Sequence, residues 1–274
     1  MLPQETAVQK ITDSLRKDLR VKAIFLKGSM GRNEYDEHSD IDLYCLVEKE
    51  DEKEFLGNRL VHLQAYRPVI FQDDIFIVAP QLIAVFDDFL HIDLFTVTPE
   101  TFKGKDFFKV LHDPEDRLTA FIDTQGLELK ASEYRDHVND VAWFLFQYKK
   151  ASSRGNGIWS VKMLANAAEH LARVLLYRYA PERAQLGLKS LQHALPTELF
   201  KQMEAVFEAM TPSRHAESAE AMSRLLKKEF PWIKEHVADG AQIETLLQSM
   251  LDLYASEEKG MQNLIGNKKH EKTV

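Results

Sequence analysis

Apolar residues Ala7, Val8, Ile11 and Leu15 recur at helical spacing and predict an amphipathic first helix within residues 4–19. The period then changes. Val21-Lys22-Ala23-Ile24-Phe25-Leu26 is short, mostly apolar and rich in branched and aromatic side chains, which predicts a buried strand. Gly28 and Ser29 fall where that strand ends, and residues 33–39 read as a loop or short helix. A second strand runs from Ile41 to Val47. Residues 48–54 read as a solvated acidic turn and 53–71 as a helix ending near Pro68. Gln81 to Phe86 and Phe89 to Val97 are two further strand-like runs, joined through Asp87-Asp88 as a tight hairpin.

From about Glu133 the strand-like alternation stops. Helical periodicity runs through Tyr179, resumes over 184–210 and 216–236, and closes with a helix from Ala241 to Tyr254. Pro181, Pro196 and Pro212 sit at the expected breaks, and the polar residues 255–274 are expected to fray. Trp143, Phe144, Phe146 and Tyr148 read most simply as core of the helical part. The expected class is α+β: an N-terminal mixed-sheet domain over residues 1–120, then an all-helical bundle domain over 121–274.

Composition narrows the possibilities. The 274 residues suit one large domain or two ordinary ones, and 45% hydrophobic with 28% charged residues is the balance of a soluble globular chain. No stretch approaches the ~20 apolar residues that span a bilayer. The first residues lack a basic n-region and an apolar h-region, so neither a membrane partner nor a signal peptide is expected. Cys45 is the single cysteine, which excludes an internal disulfide and a Cys-rich zinc site and points to a reducing, cytoplasmic setting. A net charge of −8 argues against nucleic acid as a general partner and is compatible with a cationic small molecule.

The candidate chemistry is carried by carboxylates. Asp40 and Asp42 are two apart, so on a strand both side chains leave one face. Their like charges repel, and a compact divalent cation relieves the repulsion. Oxygen-only ligands suit Mg²⁺, which keeps waters and accepts phosphate oxygens as further ligands. An isolated Asp-x-Asp is also an ordinary exposed strand start. The preceding Gly28-Ser29 turn shifts the balance, because it offers a flexible backbone N–H and a hydroxyl to phosphate oxygens. Arg32, further along the loop, is placed to neutralise a polyphosphate. Asp93 stands between Ile92 and Leu94, with His91 and Phe95 on its own side of the strand. Unpaired, it would cost several kcal/mol to desolvate. It is either a third metal carboxylate or an acid on the wet face of an edge strand. His62, His112, His137, His170, His193 and His215 are dispersed, with no helical His-x₃-His pair, and predict no metal site.

Gly28, Ser29, Asp40, Asp42 and Asp93 together resemble the pattern of the nucleotidyltransferase superfamily of the DNA polymerase β type. That pattern is a Gly-Ser turn, an Asp-x-Asp and a third acid on a later strand. Within it, the chain is similar to the small antibiotic-modifying adenylyltransferases of the aminoglycoside and lincosamide types. Their loop commonly reads Gly-Ser-x-Ala-x-Gly and ends in Ser-Asp-Ile-Asp-Leu, which is kept here as Ser39-Asp40-Ile41-Asp42-Leu43. The chain departs at Gly31, where Ala is usual, and at Asn33, where Gly is usual; Asn tolerates a left-handed backbone better than other side chains.

The resemblance implies a nucleotidyltransferase catalytic domain in the N-terminal part, with Mg²⁺ held by Asp40, Asp42 and Asp93. It implies ATP, or another nucleoside triphosphate, bound by Gly28, Ser29 and Arg32. It also implies a small hydroxylated acceptor in a cleft between the domains, and a possible homodimer. Lys149-Lys150 and Arg154-Gly155 look like the helix junction whose basic residues face the nucleotide in related enzymes. Lys150 and Arg154 equally form a basic last turn that complements a helix dipole. Some relatives use a helical-domain Glu as the base on the acceptor side, which makes Glu169 a candidate, although an ion pair with Arg173 at i+4 is the plainer reading. The expected activity is transfer of AMP from ATP to a hydroxyl of a small molecule, an aminoglycoside or lincosamide antibiotic among the options. Two alternatives stand beside it: adenylylation of a protein, as in antitoxin-like enzymes, and nucleotide sensing without transfer.

Overall fold

The computed structural model describes residues 1–103, 105–237 and 242–253. The chain divides into two compact units, Met1–Gly126 and Leu127–Val274. In the first, helix α1 (Pro3–Leu15) precedes strand β1 (Val21–Leu26), the one-turn helix α2 (Gly28–Gly31), β2 (Ile41–Val47), α3 (Lys49–Leu63), β3 (Val69–Phe76), β4 (Pro80–Phe86), β5 (His91–Val97), β6 (Lys109–His112) and a 3₁₀ helix at Thr119–Thr124.

The strands form one six-stranded sheet in the order β3-β4-β5-β2-β1-β6. Only β2 and β5 pair in parallel; the four other pairings are antiparallel, so the sheet is mixed. Alternation along the central strands builds two layers. Ile41, Leu43, Cys45, Ile92 and Leu94 turn to one face and bury Ala7 and Ile11 of α1 and Phe55 and Leu63 of α3. Phe25, Leu46, Phe95 and Val97 turn to the other, where Tyr44 stacks on Phe95 at 4.4 Å and Phe102 and Leu118 complete a smaller apolar layer. The carboxylates of interest stand at the open end of this second face.

Several elements differ from the sequence expectation, each for a local reason. The acidic stretch 48–54 is mostly the first turns of α3 and not a free turn. Glu50, Asp51 and Glu52 lie at the helix N-terminus, where negative charge is favoured. The same helix ends at Leu63, and residues 69–71 belong to β3, an edge strand so exposed that its sequence has no clean apolar alternation. The β4–β5 link is longer than two residues: Phe89 has φ +64 and lies outside the strand, and Phe86 pairs with Leu90 across the turn. The short edge strand β6 carries no apolar signal of its own.

The second unit is helical: α4 (Ala131–Ser153), α5 (Gly157–Tyr179), a 3₁₀ segment at Pro181–Ser190, α6 (Leu191–Ala194), α7 (Thr197–Glu208), α8 (His215–His236) and a further helix over residues 242–253. The helix expected over 184–210 is broken into three pieces, because Gly187 takes φ +55 and Pro196 starts α7. Residues 255–274 and the two ends of the Ala241–Tyr254 helix lie outside the described residues. Val138, Val141, Leu145, Leu164, Leu171 and Leu175 interdigitate along α4 and α5 at the centre of the core. Tyr148 is buried there, whereas Trp143 is about half exposed, contrary to its expected place in the core. No helix among the described residues is long and apolar enough to cross a membrane.

Candidate active site

The site is assembled by sheet register. Parallel pairing of β2 with β5 sets Asp42 directly opposite Asp93, with Ile41 opposite Ile92. A parallel pair places residues on matched faces, so both carboxylates leave the same side. Asp40 precedes β2 by one residue on that side, and its side chain is about half exposed. Asp93 is buried, and a metal-coordinating atom of each of Asp40, His91 and Asp93 lies within 4.8 Å of the other two. His91 Nε2 is 3.1 Å from Asp93 Oδ1, and its Nδ1 is 3.9 Å from Asp40 Oδ2. Burial works against the Asp93 charge, but hydrogen bonds from His91 and Gln81 hold its carboxyl below the usual carboxylate range. The bond to Asp93 in turn raises the His91 pKa against burial.

The Gly28-Ser29 turn closes over this group from the end of β1. Gly28 has φ +60, and a Cβ placed on it would stand 1.9 Å from Asp42 Oδ2. Only glycine lets the backbone approach that carboxylate so closely. Gly31 is constrained differently: a Cβ there would meet the Leu26 and Phe107 carbonyl oxygens at 2.8 and 3.0 Å. The Ala usual in similar loops therefore has no room in this chain. Asn33 takes φ +61, the left-handed conformation for which Gly is usual at its position. The Ser29 hydroxyl is buried and makes no hydrogen bond to the protein.

Lys27 lies under the turn. Its ammonium is buried, donates to the Lys105 carbonyl, and stands 5.4 Å from the Tyr44 ring centroid and 5.5 Å from that of Phe102. Burial lowers its pKa, against the pull of Asp106 and Asp42. Tyr44 is pushed up by burial, with Asp42, Asp106 and Asp93 adding to the effect. Lys27, Gly28, Asp42, Tyr44, Phe102 and Lys103 are among the residues lining a cavity of about 400 Å³ that opens beside Asp42.

Arg32 is placed differently from the sequence expectation. One Nη donates to both Asp106 oxygens, at 2.9 and 2.7 Å, and Nε donates to Glu34 at 3.0 Å. Its charge is already matched by two carboxylates. Lys150, Arg154 and Glu169 belong to the helical unit. Lys150 and Arg154 are exposed on the last turn of α4, which Gly155 terminates with φ +67. Lys150 lies 5.5 Å from the Phe146 ring, and Glu169 pairs with Arg173 at 3.3 Å. His91, Lys27 and Asp106 were not among the candidates read from sequence. The spacing of His91, two residues before Asp93, already put it on the same face; Asp106 has no local signal.

The donor set fits a hard divalent cation. Carboxylate oxygens of Asp40 and Asp93 lie within 4.8 Å of each other and of a His91 nitrogen; Asp42, which the register sets opposite Asp93, is not one of these three and stands instead against the Gly28 backbone, with the unbonded Ser29 hydroxyl on the same turn. His91 is the one nitrogen in the group.

Residues 9–81 match the family described as Polymerase beta, Nucleotidyltransferase, and that stretch contains the Gly-Ser turn and both Asp40 and Asp42; Asp93 lies beyond it. The N-terminal unit therefore carries a polymerase β-type nucleotidyltransferase domain. Among solved structures the chain is similar to an aminoglycoside 6-adenyltransferase from Bacillus subtilis, at 11% identity over 93% of this chain and 99% of that one, with a TM-score of 0.36. A nucleotidyltransferase-like protein from Exiguobacterium sibiricum 255-15 is 10% identical over 93% and 91%, with a TM-score of 0.39. A spectinomycin adenyltransferase from Enterococcus faecialis, solved with ATP and spectinomycin, is 9% identical over 91% and 98%, with a TM-score of 0.34. Likeness at this level says nothing of what the present chain binds. Comparison with curated proteins finds no match.

Proposed function

We propose that the chain is a metal-dependent nucleotidyltransferase that moves a nucleoside monophosphate, AMP from ATP, to a hydroxyl of a small molecule. The observation that carries this reading is the register that sets Asp42 opposite Asp93, with the Gly28 backbone against Asp42. In this reading Asp40, Asp42 and Asp93 hold Mg²⁺, and the catalytic domain is the N-terminal unit. Bound there, the cation would neutralise charge on the triphosphate and on the leaving pyrophosphate.

The chain's own groups do the rest. The Gly28-Ser29 turn offers its backbone and the Ser29 hydroxyl to phosphate oxygens. Lys27, beneath the turn, contributes fixed positive charge, and the cavity lined by Tyr44 and Phe102 receives part of the nucleotide. Asp93, held ionised by His91 and Gln81, is a metal ligand near the attacking hydroxyl or, where a single cation binds, the base that takes its proton. Lys150 and Arg154 are assigned to phosphate binding by type. Glu169 remains an acceptor-side candidate, although its carboxylate is paired with Arg173. The buried lone Cys45 agrees with a reducing, cytoplasmic setting.

A second reading, nucleotide sensing without transfer, has one observation in its favour: Arg32 is already neutralised by Asp106 and Glu34. Adenylylation of a protein is a different acceptor choice at the same site. One experiment separates all three. Incubation with α-labelled ATP, Mg²⁺ and cell extract gives a labelled small product for the first, no pyrophosphate for the second, and a labelled protein band for the third. Asp42→Asn should abolish transfer and leave the circular dichroism spectrum intact. Near-normal turnover in that variant would refute the assignment.

A further inference from the structure

His137 and Asp140 lie on α4, one turn apart, and His170 faces them from α5. The two Nδ1 atoms are 2.9 Å apart, and Asp140 Oδ2 is 3.4 Å from His170 Nδ1. We propose that these three side chains form a metal site that takes a borderline divalent cation, with Zn²⁺ as its probe, and clips α4 to α5. The site is distinct from the carboxylate group of the N-terminal unit and does not depend on nucleotidyl transfer.

The geometry supports coordination in three ways. First, one coordinating atom from each residue lies within 4.8 Å of the others. With metal–ligand bonds of about 2.0–2.1 Å, the Asp140–His170 separation of 3.4 Å corresponds to an angle of roughly 110°, the tetrahedral value. The 2.9 Å between the nitrogens corresponds to roughly 90°, so a small outward rotation of one ring completes a tetrahedral arrangement. Second, the rings are held in place. His170 stacks on Phe144 at 5.6 Å, and both histidines are half-buried where α4 packs on α5. Third, the donors have the right chemistry. Two imidazoles and one carboxylate suit Zn²⁺ and its neighbours better than Mg²⁺ or Ca²⁺.

Of the two rings, the one that donates in the Nδ1–Nδ1 hydrogen bond shifts its proton to Nε2 when both nitrogens bind the cation, so no net proton is released. Arg173 opposes a cation here, but it is paired with Glu169, and Asp140 supplies formal negative charge at the site. Asp140 is more exposed than His170, which leaves an entry path and an open fourth position for water.

The test uses the full chain, stripped with chelator and dialysed against Zn²⁺, with bound metal measured by elemental analysis and the site probed by Co²⁺ absorption. His91→Gln removes the nitrogen of the other group and leaves this site untouched; the carboxylates of that group can still hold a cation, so metal is assigned here by its loss in the variants of this site and not by its retention in His91→Gln. His137→Gln and His170→Gln should each lose one equivalent of Zn²⁺, together with the Co²⁺ bands and the Zn²⁺-induced rise in thermal midpoint. Asp140→Asn keeps both rings and should weaken Zn²⁺ binding by about tenfold or more. It decides the matter if a histidine variant misfolds. Equal Zn²⁺ content and affinity in wild type and Asp140→Asn, or an unchanged Co²⁺ spectrum in His170→Gln, would overturn the proposal and leave an ordinary imidazole–imidazole hydrogen bond.

Discussion

Replacing Gly28 with Ala separates what the turn does for the fold from what it does for the site. The added Cβ would lie 1.9 Å from Asp42 Oδ2 and 2.9 Å from its Cγ. Ordinary carbon–oxygen contact begins near 3.4 Å, so the carboxylate must withdraw by roughly 1.5 Å. The obstacle is the free end of a side chain, which can swing away at little cost. The fold mainly bears the left-handed φ of +60, about 1 kcal/mol for a side chain with a Cβ. For a unit of 126 residues that is a fall of about 4 °C in thermal midpoint. The site loses more, because a displacement of about 1 Å in a catalytic group costs about 100-fold in rate. The expected variant is therefore folded, slightly less stable and nearly inactive. Differential scanning calorimetry measures the first part, and Mg²⁺-dependent pyrophosphate release from ATP over a panel of hydroxylated acceptors measures the second. Transfer within twofold of wild type would refute the reasoning, since it would mean that the position of Asp42 does not matter. A stability loss well above the strain estimate would refute it differently, by making Gly28 chiefly structural.

Gly57 supplies the opposite case: it lies inside α3, nothing would stand within 4 Å of a Cβ there, and Gly57→Ala should stabilise the protein by about 1 kcal/mol in urea unfolding without touching activity. Asp18 offers a test by pH. The Arg20 guanidinium leads the interactions that hold its carboxyl down to about 2 against burial, with His62 contributing 3.2 Å away. A carboxylate depressed from 3.8 to about 2 contributes about 2 kcal/mol, fully present above the unfolded value and lost as pH falls towards the folded one. Asp18→Asn should therefore cost about 2 kcal/mol at neutral pH and about half of that at pH 3. An equal deficit at both pH values would show that the effect is steric.

Period and residue type were enough to read β1, β2, β4 and β5, the last with two residues too many at its start, because apolar runs and alternation are the direct imprint of burial between two layers. The edge strands were not legible. β3 is exposed along most of its length and β6 is four residues long, so neither carries an alternating pattern, and both owe their place to backbone pairing with a neighbour. The break at Gly187 was hidden for a related reason: helical spacing continues on both sides of it, and the turn depends on one backbone angle.

The site divides in the same way. Sequence alone determined that a Gly-Ser turn, an Asp-x-Asp and an acid in an apolar strand are present, since small residues at a strand end and unpaired carboxylates in apolar runs are costly unless something uses them. Tertiary structure decided which of these meet. Asp42 and Asp93 are fifty-one positions apart and become neighbours only through the parallel β2–β5 register. That same register and the sheet face bring in His91, while the return of the chain near residue 106 claims Arg32 for Asp106. His137 and His170 look dispersed in the chain and meet because α4 and α5 pack along their length. Local pattern records the period and burial of each segment; which charged groups share a pocket is set by non-local pairing, and no single segment encodes it.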